Sequence, residues 1–241
     1  MRAFEYASPT TVEQAVELLG KNFRKAEVLA GGTDQLALMK DDIAQPKMLV
    51  NIKEIPGLRG ISVSPRAGLR IGALATIQEL ADNPQVRRSY PALSEAAGEI
   101  AGPQIRNMGT VGGNLCQRPR CWYYRAGFGL LALNEKGESL VPGGDNRYHA
   151  ILGNAGPAYF VNPSTLAPVL VAMGAKVTLA GPQGTRQVEV EKFFIIPKAA
   201  DEREHDLRPN EIMTEITVPP LAGARSVFYE VRQKEAMDWP L

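Results

Sequence analysis

Only two cysteines, Cys116 and Cys121, and two histidines, His149 and His205, occur in the 241 residues. That scarcity excludes a disulfide framework and a tetracysteine metal centre, and it disfavours a self-contained zinc site. Charge of neither sign dominates: 27 Lys and Arg against 26 Asp and Glu leave a formal net charge of +1, so no global field favours nucleic acid or an anionic membrane. The N-terminus lacks a long apolar run; Met1-Arg2-Ala3-Phe4-Glu5-Tyr6 enters a predicted strand and not a signal peptide or membrane span. This reads as a cytoplasmic protein, or one exported only with a partner. Neither G-x-G-x-x-G nor G-x-x-x-x-G-K-[ST] occurs at the glycine-rich loops, which disfavours a kinase or ATPase. No serine or cysteine sits in a nucleophile signature, and no general base stands out.

What is present is the composition of a soluble globular chain, 44% hydrophobic and 22% charged, long enough for one large domain or two lobes. Two Gly-Gly motifs stand out, Ala30-Gly31-Gly32-Thr33-Asp34 and Thr110-Val111-Gly112-Gly113-Asn114. Paired glycines allow consecutive N–H groups to converge on an anion, and the adjacent threonine adds a hydroxyl donor. Two such nests suit a diphosphate; the bland alternative for either is an ordinary turn. A phosphate would repel Asp34, so in a nest its carboxylate is expected to cap local N–H groups or to meet a sugar hydroxyl. Asn114 is read as locking the second turn. The run Arg118-Pro119-Arg120-Cys121-Trp122-Tyr123-Tyr124-Arg125 alternates guanidinium and aromatic groups. It suits a packed interface better than a single-strand nucleic-acid site in a chain of near-zero net charge.

Periodicity and caps place these motifs. A helix is predicted over Thr11 to Leu19, a strand over Ala26 to Leu29, a short helix over Gln35 to Lys40 and a strand over Met48 to Asn51, a βαβ unit turning at the first glycine loop. Leu69 to Ala73 reads as a strand, Thr76 and Glu79 as a capping box opening a helix, and Pro91 to Ala101 as an alanine-rich helix. Cys116 to Pro157, punctuated by glycines, reads as an inserted loop. Beyond it, strands are expected over Tyr159 to Asn162, Lys176 to Ala180, Thr185 to Val190, Ile212 to Val218 and Ser226 to Arg232. A helix over Thr165 to Met173 is capped by Ser164.

Val28-Leu29-Ala30-Gly31-Gly32-Thr33-Asp34-Gln35, Gln104-Ile105-Arg106-Asn107 and Thr110 to Asn114 resemble the FAD-binding medium subunits of the molybdenum hydroxylase family, the carbon monoxide and xanthine dehydrogenase group. Ile71 to Leu74, Leu166-Ala167-Pro168, Phe193-Phe194 and Ala236 to Pro240 follow in the family's order, so the resemblance covers nearly the whole chain. It implies an α+β, two-lobed fold of the vanillyl-alcohol-oxidase and peptidoglycan-reductase type, with lobes over 1–55 and 56–222 and the start of a C-terminal lobe, otherwise missing, over 223–241. It also implies that FAD is the cofactor and that both glycine loops hold its pyrophosphate. The implied cofactor residues are Val28, Leu29, Ala30, Gly31, Gly32, Thr33, Asp34 and Gln35 on the first loop. Thr110, Gly112, Gly113 and Asn114 belong to the second, and Ile100, Thr165 and Leu207 lie near the flavin. Thr165 stands where the family usually has an aspartate. The resemblance names neither a catalytic residue nor a metal ligand in this chain.

The segment 116–157 is similar to an insertion in the branch containing hydroxybenzoyl-CoA reductase and periplasmic aldehyde oxidoreductase, where four cysteines hold a [4Fe–4S] cluster. Leu130, Leu131, Ser139 and Leu140 occupy the stretch where further cysteines belong, so the insert is expected to keep its shape without a cluster. By the same resemblance the partners are a molybdopterin-containing large subunit and a small [2Fe–2S] subunit, with no nucleic acid and no membrane. The chain would then pass electrons from the iron–sulfur clusters through FAD to an external acceptor. The rival is a structural subunit of the same fold that has lost its cofactor. Without the C-terminal lobe, FAD is expected to bind more weakly than in relatives.

Overall fold

The computed structural model describes residues 1–23, 25–153, 156–199, 202–221 and 223–233. The chain opens with β1 (Glu5–Ala7) and α1 (Val12–Leu19), followed by β2 (Ala26–Leu29), α2 (Gln35–Lys40) and β3 (Met48–Asn51). Thr11 caps α1 by accepting the Gln14 N–H at 3.2 Å, and Ala15, Val16 and Leu19 turn one face of the helix inward. The strands form a parallel sheet in the order β1-β3-β2, so the first glycine loop leaves the carboxyl end of β2 and runs straight into α2.

The second half adds β4 (Ile61–Ser64), β5 (Gly68–Gly72), α3 (Ile77–Asp82), α4 (Pro84–Ser89), α5 (Pro91–Glu99), α6 (Pro103–Met108) and α7 (Val111–Leu115). After these come α8 (Trp122–Arg125), α9 (Leu166–Ala172), β6 (Lys176–Gly181), β7 (Gly184–Glu189), α10 (Val190–Phe193) and β8 (Ile212–Val218). Strands β4-β5-β8-β6-β7 form one antiparallel sheet. Thr76 and Glu79 make a complete capping box on α3, with Glu79 N–H to Thr76 Oγ1 at 3.1 Å and Thr76 N–H to Glu79 Oε2 at 2.7 Å. Leu69, Ile71, Val177, Leu179 and Ile216 of the sheet pack against Leu80, Leu93, Ala96, Leu166 and Leu170 of the helices to form the main core. A second cluster joins the two sheets: Ala15, Val16 and Leu19 meet Val50, Leu58, Leu74 and Ile212. The fold is therefore the expected α+β arrangement. Among the described residues, no helix is long and apolar enough to cross a membrane.

Four expectations need correction. Tyr159 to Asn162 forms no strand; its backbone meets the insert where Ala150 N–H donates to Tyr159 C=O at 2.9 Å. Ser226 to Arg232 joins no sheet either. Its alternation is real but is met by α5: the Ala92 N–H donates to Ser226 Oγ and Arg232 pairs with Glu99, while Val227 and Tyr229 face solvent at 90% and 89% exposure. The second glycine motif is not an open loop but the turn α7, capped by Thr110. The insert holds a helical turn, α8, and a short hairpin closed by Leu133 and Ser139. The closing Ala236 to Pro240 motif lies outside the described residues, as do the last eight residues of the expected C-terminal lobe.

Candidate functional site

Where the two sheets meet, the end of β2, the first glycine loop, the β5–α3 turn, the end of α5, the start of α7 and residues 203–213 wall a cleft of about 420 Å³. Val28 and Ala30 face it, whereas Leu29 between them does not. Strand side chains alternate, and Leu29 packs on the far side of the sheet with Met39 and Leu49. Gly31, Gly32, Thr33, Asp34 and Gln35 line the same cleft, with Ile100. Thr110, Gly112, Gly113, Asn114, Thr165 and Leu207 line it as well, so of the implied cofactor residues only Leu29 points elsewhere.

The two glycine motifs differ in what they offer. In the first, Leu36 N–H bonds Gly32 C=O and Leu38 N–H bonds Asp34 C=O, both at 3.1 Å. The N–H groups of Gly31, Gly32, Thr33 and Asp34 have no hydrogen-bond partner among the described residues. In the second, Val111 and Gly112 N–H donate to Ala75 and Ala73 C=O at 2.9 Å, Gly113 N–H to Thr110 Oγ1 at 3.1 Å and Asn114 N–H to Thr110 C=O at 2.8 Å. These amides are committed to the fold. The paired nest expected from the sequence is thus one open loop and one structural turn. Gly112 has its own reason: a Cβ there would lie 2.9 Å from the Ala73 Cβ, so glycine lets α7 pack on β5. Asn114 locks the turn as expected, accepting a hydrogen bond from Ser164 Oγ at 2.6 Å, while the same hydroxyl caps α9 through Ala167 N–H at 3.1 Å.

Asp34 corrects its expectation. Its side chain makes no cap bond to α2. Its carboxylate instead accepts the Arg118 N–H at 2.8 Å, Arg125 Nη2 at 2.9 Å and Arg120 Nη1. Burial alone would raise the Asp34 carboxyl, but Arg120, the Arg118 amide and Arg125 outweigh it and hold it below the usual carboxylate range. The arginine-aromatic run is therefore an internal clamp. Arg118 and Arg125 also sit over the Tyr124 ring at 5.2 and 5.8 Å, and Tyr124 packs with Leu38 and Leu130. Leu130, read from the sequence as replacing a cysteine of the insert, is buried in this apolar cluster.

The far wall holds three charged residues the sequence did not flag, Glu27, Arg203 and Glu204. Glu27 pairs with Arg203, and Arg118 Nε lies 2.6 Å from Glu204 Oε1. Partners up to 176 residues apart leave no local signal. His205 stacks on Phe193 with centroids 5.3 Å apart, and burial, reinforced by Arg118, lowers its pKa to about 3, so it is neutral. Desolvation, with Glu204 nearby, pushes the thiol of Cys116, a half-buried residue of the cleft wall, up to about 12, so it stays protonated. Cys121 Sγ lies 3.0 Å from His149 Nε2. Among the described residues, no group of three or more His, Cys, Asp or Glu stands together to hold a metal.

An α+β fold with a glycine loop at the carboxyl end of a parallel strand, lining a cleft between its sheets, is the arrangement of a dinucleotide-binding domain. Across residues 2–221 the chain matches the family described as the FAD binding domain in molybdopterin dehydrogenase. It belongs to that family, whose cofactor is FAD. The chain is 33% identical over 249 residues to the aldehyde oxidoreductase FAD-binding subunit PaoB of Escherichia coli, covering 100% of this chain and 76% of that one. It is also 33% identical to the carbon monoxide dehydrogenase medium chain of Hydrogenophaga pseudoflava, covering 98% of this chain and 66% of the relative. A solved carbon monoxide dehydrogenase from the same organism, lacking the Mo-pyranopterin moiety of its cofactor, superposes with a TM-score of 0.71 at 31% identity, covering 99% of this chain and 67% of that one.

Proposed function

We propose that this chain is the flavin-binding, electron-transfer part of a molybdenum-dependent hydroxylase or dehydrogenase, working beside a molybdopterin-containing large subunit and a small [2Fe–2S] subunit. Electrons would arrive from the partner's iron–sulfur clusters and leave to an external acceptor. The observation that carries the reading is the run of four amides, Gly31 to Asp34, without a hydrogen-bond partner among the described residues, on a loop that lines a cleft with nearly all the implied cofactor residues. The chemistry of the donors fits FAD. The amides suit the anionic pyrophosphate, and Gln35 Nε2, buried in the same wall without a hydrogen-bond partner, suits a polar atom of the cofactor. Gly31 allows the loop to lie against α6, since a Cβ there would sit 2.0 Å from the Met108 carbonyl oxygen.

In this reading Gly31 to Gln35 bind the pyrophosphate, while Gly112, Gly113 and Asn114 shape the opposite edge of the cleft and Thr110 fixes their turn. Ile100 and Leu207 supply apolar walls that keep water from the ring. Thr165, buried in the lining, offers a neutral hydroxyl where the family usually places a carboxylate, so it donates or accepts a hydrogen bond without adding charge. When bound, FAD supplies the redox chemistry; the protein contributes position and electrostatics. Lobes over 1–55 and 56–222 each present one side of the cleft.

The test is purification and reconstitution with FAD. One flavin per chain by visible absorption, and co-purification with a molybdenum-containing chain when the coding neighbours are co-expressed, are the expected results. A chain that stays colourless after incubation with excess FAD would favour the rival, a structural subunit that has lost its cofactor.

A further inference from the structure

We propose that Arg120 and Arg125, carried on the insert, are positioning residues for the dinucleotide: they cancel the charge of Asp34 and so turn a glycine loop that would repel a diphosphate into one that receives it. This rests on the FAD reading above and extends it to residues outside the glycine motifs. The loop contradicts itself electrostatically when taken alone. Its amides invite an anion, yet the next side chain is a carboxylate in the same wall of the cleft.

The geometry resolves the contradiction. Arg120 Nη1 and Arg125 Nη2 both reach Asp34 Oδ1, and the Arg118 amide donates to Oδ2. Two guanidiniums meet the one carboxylate, which cancels the charge of Asp34. The neighbouring pairs Arg118–Glu204 and Arg203–Glu27 bring no excess negative charge to it, since burial raises both carboxyls, that of Glu27 to about 7. The arginines are themselves held in place. Arg120 Nη2 donates to Gln117 Oε1 at 2.8 Å, and Arg125 Nε to Pro119 C=O at 2.9 Å. Arg120 lines the cleft directly. At the effective dielectric of a partly buried site, baring the Asp34 carboxylate beside a bound anion is expected to change binding by roughly 100-fold.

A charge cycle on the full chain tests this, with FAD affinity read by quenching of flavin fluorescence. R120Q/R125Q is expected to weaken FAD binding by roughly 100-fold, and adding D34N to that pair to recover most of the loss. D34N alone leaves both guanidiniums facing the loop and is expected to tighten binding and steepen its salt dependence. R120K/R125K, which keeps the charge without the fork geometry, is expected to retain most of the affinity. Unchanged affinity in R120Q/R125Q overturns the proposal, as does a triple variant that binds no better than the double, because the arginines would then act only by folding the insert. Should the double variant fail to fold, D34N decides by itself: unchanged or weaker binding overturns the proposal. A parent protein that binds no FAD brings down the flavin reading itself, whereas a parent that binds FAD with variants outside this pattern brings down only the charge-compensation proposal.

Discussion

Gly31 shows how much of the site rests on single atoms. An added methyl group would come within 2.0 Å of the Met108 carbonyl oxygen, a backbone atom that cannot swing aside. Gly31→Ala must therefore push α6 away from the loop, at a cost of about 1–3 kcal/mol by the usual penalty for overpacking. FAD affinity should fall at least tenfold with it; urea denaturation and FAD titration of the variant check both, and parent-like values in both would contradict the packing argument. The same scale explains what sequence could and could not disclose. Val28 and Ala30 are legible as cleft residues because they follow a strand into a glycine loop. Leu29 was carried along with them because a contiguous motif hides the alternation that sends every second side chain to the opposite face. Asp34 was legible as a difficulty, a carboxylate beside the proposed anion site, but its partners lie 84 to 91 residues away on the insert and no local pattern announces them.

Elements were legible where local chemistry and burial agree. The strands β2, β3 and β8 and the helix α2 run between the residues expected, because apolar runs of that length end in glycine, polar or proline residues. The Thr76–Glu79 box is the clearest case. Removing its hydroxyl in Thr76→Ala exposes the Glu79 amide and should cost about 1 kcal/mol. Thermal unfolding of the variant measures it, and a change near zero would mean that α3 is held by packing alone. The failures are equally local. Ser226 to Arg232 has the period-two pattern of a strand, but alternation reports only that one face is covered, and here the cover is the helix α5. Thr110-Val111-Gly112-Gly113 has the composition of an anion loop, yet its amides bond Ala73, Ala75 and the Thr110 hydroxyl. Composition cannot tell an open loop from the first turn of a capped helix.

At the scale of the whole molecule, buried titratable groups make stability depend on pH. His205 is held neutral, with a pKa of about 3 against 6.5 for the free side chain. A depressed histidine contributes stability that is present above pH 6.5 and is lost progressively as pH falls toward 3, by about 1.4 kcal/mol per unit once the unfolded chain is fully protonated. Urea midpoints measured from pH 7 to pH 4 should fall in the parent and fall less steeply in His205→Gln; equal slopes would remove His205 from the account. FAD itself should act globally, raising the melting temperature with ligand concentration because only the folded cleft binds it. Melting curves unmoved by saturating FAD would speak against a preformed site.

The bond between Asp34 and the insert also orders events during synthesis. A ribosome that has released the glycine loop has still to make Arg118, Arg120 and Arg125, so the emerging chain shows an acidic mouth before it shows a balanced one. The neutralised loop therefore exists only in a chain that has been made as far as residue 125.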